Sequence, residues 1–245
     1  MISITTAMLL VLVYSVSADS TVLSEVENNS PSKYYESKLP ELDYYKNYES
    51  LRASPKSVVV YPIFTQSAYE WNGIHDYFTG RCDSCITTPI QHYYQKSFSS
   101  SGNAYRILEF LDYEVINDMD IDKNPSILKK FDKVILLHNE FVTRAEFNAI
   151  TQHPNVIYLY PHALVSEIKT NYDKNTITLV RGPGFPDGNI LNGFDWKFDN
   201  SQYFNDWSCN GWEFYEINNG FMLNCFPETE LPHYGHDILK TIKIL

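Results

Sequence analysis

The sequence predicts an α/β protein: an open parallel sheet flanked by helices, followed by a C-terminal extension rich in β-hairpins. Two observations predict it. Short apolar, β-branched segments alternate with helical patterns from residue 57 to residue 160, the pattern of parallel strands joined by right-handed crossovers. Beyond residue 166 the pattern changes to paired strand-like segments around turn residues.

Ser57–Phe64, SVVVYPIF, reads as the first strand. Ser101–Leu111 reads as a helix, with Ile107, Leu108 and Leu111 on one face. Tyr113–Asn117 is the second strand. Pro125–Phe131 predicts a brief helix, with Asn124 as N-cap and proline at the first helical position. Lys133–Leu137 is the third strand. Thr143–Gln152 is the next helix, and its TRAE start gives Thr143 and Glu146 the two roles of a capping box. Asn155–Tyr160, NVIYLY, is the fourth strand. These strands are apolar throughout, as strands buried on both faces are.

Two hairpins follow. One pairs Glu167–Asn171 with Thr176–Arg181, and the other pairs Trp212–Ile217 with Phe221–Cys225 around Asn218-Asn219-Gly220. Asp237–Leu245 predicts a closing helix. The expected division is a signal peptide at 1–18, an exported linker at 19–55, an α/β core at 56–168, and a β-rich extension at 169–245 packed on that core.

The chain has 245 residues, enough for a domain with a real core. It is 44% hydrophobic and 20% charged, which excludes a disordered composition. Its formal net charge of -11 argues against phosphate-backbone binding, which needs clustered Lys and Arg, so no nucleic acid is expected. Ala7–Val16 is a short apolar run, and Val16 and Ala18 place small residues at positions -3 and -1 of a cut. This predicts a cleaved signal peptide, although Lys and Arg are missing from its start. The run is short for a bilayer span, so a secreted mature chain without one is expected. Asn28-Asn29-Ser30 is a candidate glycosylation acceptor in the linker.

Four cysteines in an exported chain point to disulfides. Cys209 and Cys225 flank the second hairpin and are expected to pair. Cys82 and Cys85 form a CxxC, read as a local disulfide, half of a metal site or a redox pair. Its loop position after Gly80-Arg81 disfavours the redox reading.

In an open parallel sheet, ligands bind outside the carboxyl ends of the strands. After the first strand come Thr65, Tyr69, Glu70 and His75. Asn117 and Asp118 follow the second. His138, Asn139 and Glu140 follow the third, and His162 follows the fourth. In a His-x-Glu at a strand end, the carboxylate can serve as metal ligand or general base. The imidazole can hold a water or stabilise an oxyanion. The plainer alternative makes Asn139 or Glu140 a helix cap. The capping box at Thr143 and Glu146 already fills that role. No Gly-x-Ser-x-Gly, phosphate loop or GxGxxG occurs, which speaks against a nucleophile elbow and a nucleotide.

The passage from Leu108 to Ile150 resembles the class I glutamine-amidotransferase-like fold, in its branch without the cysteine. More narrowly, it is similar to the C-terminal region of the N,N-dimethylformamidase large subunit. The motifs are His138-Asn139-Glu140-Phe141, where that family has His-x-Glu-Tyr, and Phe64–Asn72, a loose match to its early Phe-Thr and Ala-Tyr-x-x-Asn turn. The resemblance spans residues 57 to 168. It implies a flavodoxin- or amidotransferase-like sheet, amide hydrolysis, and a mononuclear iron held by two tyrosines and a glutamate; another divalent metal is the alternative. Carried over, Glu140 and Tyr69 become metal ligands, His138 and Glu140 the catalytic pair, and Asn139 and His162 binding residues. The second tyrosine has no motif, and Tyr93, Tyr94 and Tyr105 are its candidates.

Two readings follow. One is an exported metal-dependent hydrolase of amide-like bonds. The other is a non-catalytic secreted domain on the same fold, binding a small molecule, carbohydrate or protein. For the second, Phe194-Asp195-Trp196, Phe204–Trp207 and Trp212-Glu213-Phe214 are candidate surface aromatics, with packing of the hairpins as their alternative role.

Overall fold

A computed structural model describes residues 49–198 and 211–245. The signal peptide, most of the linker, the Asn28 acceptor, Phe204–Trp207 and Cys209 lie outside the described residues. The expected linker ends early: Leu51 is buried, and the Ala53 amide donates to the Leu111 carbonyl at 2.9 Å.

Strand β1 (Ser57–Tyr61) is buried along its whole length. It is shorter than expected. Pro62 has no N–H to continue the ladder, and Ile63 and Phe64 open helix α1 (Ile63–Ala68). Helix α2 (Ile74–Phe78) and strand β2 (Thr87–Pro89) follow, then α3 (Gly102–Phe110) and β3 (Glu114–Asn117). Helix α4 (Asp118–Lys123) was not expected. Asn117 and Asp120 make its capping box. A 3₁₀ segment, Pro125–Lys130, leads to β4 (Lys133–Leu136). Strand β5 (Phe141–Thr143), also unexpected, precedes α5 (Arg144–Thr151), whose Thr143/Glu146 capping box is formed as expected. Strands β6 (Val156–Tyr158), β7 (Ser166–Asn171), β8 (Thr176–Arg181), β9 (Phe214–Ile217) and β10 (Gly220–Leu223) lead to α6 (Pro227–Ile244). That helix starts ten residues before the expected Asp237, across a kink at Tyr234.

The main sheet runs β3-β1-β4-β6-β10-β9, parallel except for β9. The protein is therefore α/β with a mostly parallel sheet flanked by helices. Alternate strand residues face opposite sides. Val59, Ile135 and Ile157 pack with Leu108, Leu239 and Ile242 of α3 and α6. Val58, Val134 and Val156 pack with Ile121 and Ile150 of α4 and α5.

The C-terminal hairpin is part of this sheet rather than an extension laid on it, since β10 pairs parallel with β6. The expected boundary at 168 falls inside β7. Gly220 permits the pairing: a Cβ there would lie 1.8 Å from the Val156 carbonyl oxygen. Asn219 anchors the turn, donating to the Ile150 and His153 carbonyls and accepting from the Tyr158 hydroxyl.

A second sheet runs β2-β8-β7-β5, with β5 and β7 parallel. Neighbouring strands β4 and β6 thus each cross from the main sheet into the second, as β5 and β7. The crossing segments bond to each other. Leu159 N donates to Leu136 O at 3.1 Å, Leu164 N to Asn139 O at 2.8 Å, and Ser166 N to Glu140 O at 3.0 Å.

Cys82 and Cys85 form the local disulfide in the loop between α2 and β2, so neither sulfur stands as a thiolate ligand there. Cys225 is disulfide-bonded. No helix among the described residues is long and apolar enough to cross a membrane.

Glu228, buried in the first turn of α6, accepts from the Asn103 and Ala104 amides at 3.1 Å each. Burial outweighs these bonds and pushes its carboxyl up to about 8. The unfolded value is about 4.3. The folded state therefore holds a proton that the unfolded state releases between those two values. The stabilisation is complete below about pH 4.3 and is lost as pH rises through the folded value. Urea midpoints from pH 5 to 8.5 should fall in the wild type and fall less in Glu228→Gln. Equal slopes would place the proton on another group.

Candidate functional site

The main sheet reverses its strand order at β1, which has β3 on one side and β4 on the other. The crevice beyond the carboxyl ends of such a pair is where open α/β sheets bind ligands. Here it receives α1 and the crossing segment His138–Glu140. Thr65 of α1 ties the two together: its Oγ1 accepts from the amides of Glu140 at 2.9 Å and Phe141 at 3.1 Å. Asp118 fixes the start of α1 by accepting from Phe64 N at 2.9 Å. Asn117 and Asp118 are therefore structural caps rather than members of the site.

Glu140 Oε2 is the focus. The Tyr69 hydroxyl donates to it at 2.8 Å. His138 Nε2 lies 3.2 Å from it, and His162 Nδ1 lies 3.6 Å away. His138 is held by two contacts. Its Nδ1–H donates to the Ser99 carbonyl at 2.7 Å, and its ring stacks on Tyr160 with centroids 4.2 Å apart. Tyr69 stacks on His75 at 4.1 Å. His162 meets His138 edge-on at 4.9 Å and packs against Phe226. The ligand atoms of His138, Glu140 and His162 lie within 4.8 Å of one another.

The cluster is nearly dry, with His138 4%, Glu140 6% and His162 1% exposed. Burial pushes the Glu140 carboxyl up, but the bonds and charges of His138 and His162 outweigh it and hold the group well below the usual carboxylate range. Burial and the neighbouring Glu140 charge push the Tyr69 phenol well above its ordinary value. Burial lowers His75, against the pull of Glu140.

Of the expected site residues, Tyr69, His138, Glu140 and His162 come together. Asn139 sits in the same segment, fully buried, and contributes its carbonyl to the Leu164 bond; its side-chain amide makes no hydrogen bond with the cluster. The candidate second tyrosines are elsewhere. Tyr93 is exposed, the Tyr94 hydroxyl accepts from Asn117, and the Tyr105 hydroxyl donates to Glu109. Phe141, standing where the resembled family has tyrosine, is fully buried against Tyr69 and Phe78. The sequence reading missed Tyr160, hidden in the apolar NVIYLY run; a tyrosine ending a buried strand two residues before His162 was the available signal.

Two imidazoles, a carboxylate and a phenol are donors that borderline divalent ions such as Zn²⁺ or Fe²⁺ accept. The Nδ1–H bond to a backbone carbonyl is the kind of support a ligating histidine has. The residues therefore fit a divalent metal better than the two-tyrosine iron site that the resemblance implies. No protein-family model and no curated protein sequence matches the chain.

Proposed function

We propose that the protein is an exported, divalent-metal-dependent hydrolase of amide-like bonds, built on a flavodoxin- or amidotransferase-like sheet. The observation that carries this is the convergence of Tyr69, His138 and His162 on one oxygen of Glu140, at the carboxyl edge where the strand order reverses. The order of the parallel strands supports the fold reading. A divalent ion, when bound, polarises a carbonyl oxygen and makes water a better nucleophile. Glu140 supplies the anionic donor. His138 is fixed by Ser99, and the protonated Tyr69 phenol orients the carboxylate. His75 is the half-buried imidazole stacked on Tyr69, and burial lowers its basicity against the pull of Glu140.

The same seclusion favours a second reading, a non-catalytic domain, because Glu140 and its two histidines leave little room for a substrate. Among the described residues, the first C-terminal aromatic group packs on the protein rather than forming a carbohydrate surface. Phe194 stacks face to face on Phe147 at 4.0 Å, and Trp196 packs on Tyr158.

The test is release of ammonia from formamide and short peptide amides, and of dimethylamine from N,N-dimethylformamide. Chelation should abolish turnover, and one divalent ion should restore it. Stoichiometric metal without turnover of any amide would give the site to the binding-domain reading.

A further inference from the structure

We infer that the ion is held by His138 Nε2, His162 Nδ1 and Glu140 Oε2, with Tyr69 outside the coordination sphere as the hydrogen-bond donor that orients the carboxylate. This rests on the proposed metal site, but it departs from the ligand set that the resemblance implies. It replaces a tyrosinate iron with a borderline divalent ion on two imidazoles and a carboxylate.

Distances separate the two kinds of neighbour. Ligands about 2.0–2.2 Å from a tetrahedral ion lie roughly 3.3–3.6 Å apart. His138 Nε2 and His162 Nδ1 stand 3.2 and 3.6 Å from Glu140 Oε2, near that spacing. Tyr69 Oη stands 2.8 Å away, an ordinary O–H···O⁻ distance and short for two oxygens sharing a tetrahedral ion.

Tautomer gives an independent reason. His138 Nδ1 faces the Ser99 carbonyl and must carry a proton. In the neutral ring, Nε2 then presents a lone pair to the Glu140 carboxylate at 3.2 Å. Two acceptors at that distance repel unless a cation lies between them or the ring is protonated. A divalent ion between His138 Nε2 and Glu140 Oε2 meets that requirement with the ring neutral.

The positions that the resemblance offers for a second tyrosine do not restore the other set, and Tyr160 meets His138 through its ring face. Phe141 has no donor atom, and Tyr93, Tyr94 and Tyr105 make their contacts elsewhere.

The experiment titrates the metal-free full chain with Co²⁺ and, separately, Fe³⁺, read by visible absorption, with competition by Zn²⁺ for affinity. One Co²⁺ should bind with ligand-field bands, and Zn²⁺ should displace it. Tyr69→Phe should keep the bands and lose no more than about 10- to 100-fold in affinity, as for an outer-shell partner. His138→Ala and His162→Ala should each lose more than that. His162→Gln and His138→Gln, which fill much of the ring volume, repeat the comparison if an alanine variant fails to fold by circular dichroism. A tyrosinate-to-iron charge-transfer band with Fe³⁺ that Tyr69→Phe abolishes would overturn the inference. So would histidine variants that bind Co²⁺ like the wild type, and in both cases the metal site itself would stand. A wild type that takes no stoichiometric ion would overturn the inference and the metal reading together, leaving a buried imidazolium–carboxylate pair.

Discussion

Glu140→Gln is expected to lower kcat/KM for amide hydrolysis by about 100- to 10,000-fold, the range for loss of a positioned acid–base or charge-bearing group. The melting temperature should stay within about 4 °C, equivalent to roughly 1 kcal/mol in a domain of this size. Gln keeps the volume and leaves an oxygen for the Tyr69 hydroxyl. Its amide can donate to Nε2 of a neutral His138, whose Nδ1 proton goes to the Ser99 carbonyl. The fold keeps its contacts, and only the negative charge is lost. Survival of both turnover and metal content in a folded Glu140→Gln would end the catalytic assignment of this residue.

Gly220→Ala should be the most damaging small substitution at the sheet. Its added methyl would stand 1.8 Å from Val156 O and 2.7 Å from Val156 N and C, all backbone atoms that cannot swing aside. Relief requires separating β10 from β6. The expected cost is about 3 kcal/mol or more, a fall in melting temperature of roughly 6–12 °C. The damage should reach the site, because Phe226, just beyond β10, packs on both Tyr160 and His162. A melting temperature within 2 °C of wild type, read by calorimetry, would show that the β6–β10 pairing is not held as described.

The local signals in the sequence were legible. Thr143 and Glu146 announced α5, and the polar residues after the third and fourth strands marked the site, because a charged group at the end of an apolar strand has little packing role. What was hidden depends on distant partners. Phe141–Thr143 is too short to show a period, and its final residue also caps a helix, so β5 was invisible until β7 lay beside it. The second hairpin reads the same whether it stands alone or adds to a sheet; only the absence of a side chain at Gly220 favours close approach, and that has meaning only with Val156 opposite. In SVVVYPIF hydrophobicity ran on past Pro62, so the strand was drawn three residues too long. The helix from Pro227 was masked by Pro232 and by the break at Tyr234. Tyr69 was assigned to the site by turn position, but its role as a donor to Glu140 follows only from a contact across 71 residues.

The two crossings between the sheets have a kinetic consequence. His138 and Glu140 lie on the crossing from β4 to β5, and His162 on the one from β6 to β7. Any fluctuation that peels β5 and β7 away from the main sheet must draw these side chains apart. An ion shared among them would act as a rivet through the seam. Its departure would be timed by the breathing of the protein rather than by solvent access. Amide hydrogen exchange at Val142 and Glu167, the central register pair of that junction, would then slow on metal loading, and the off-rate of the ion would follow the opening rate of the seam.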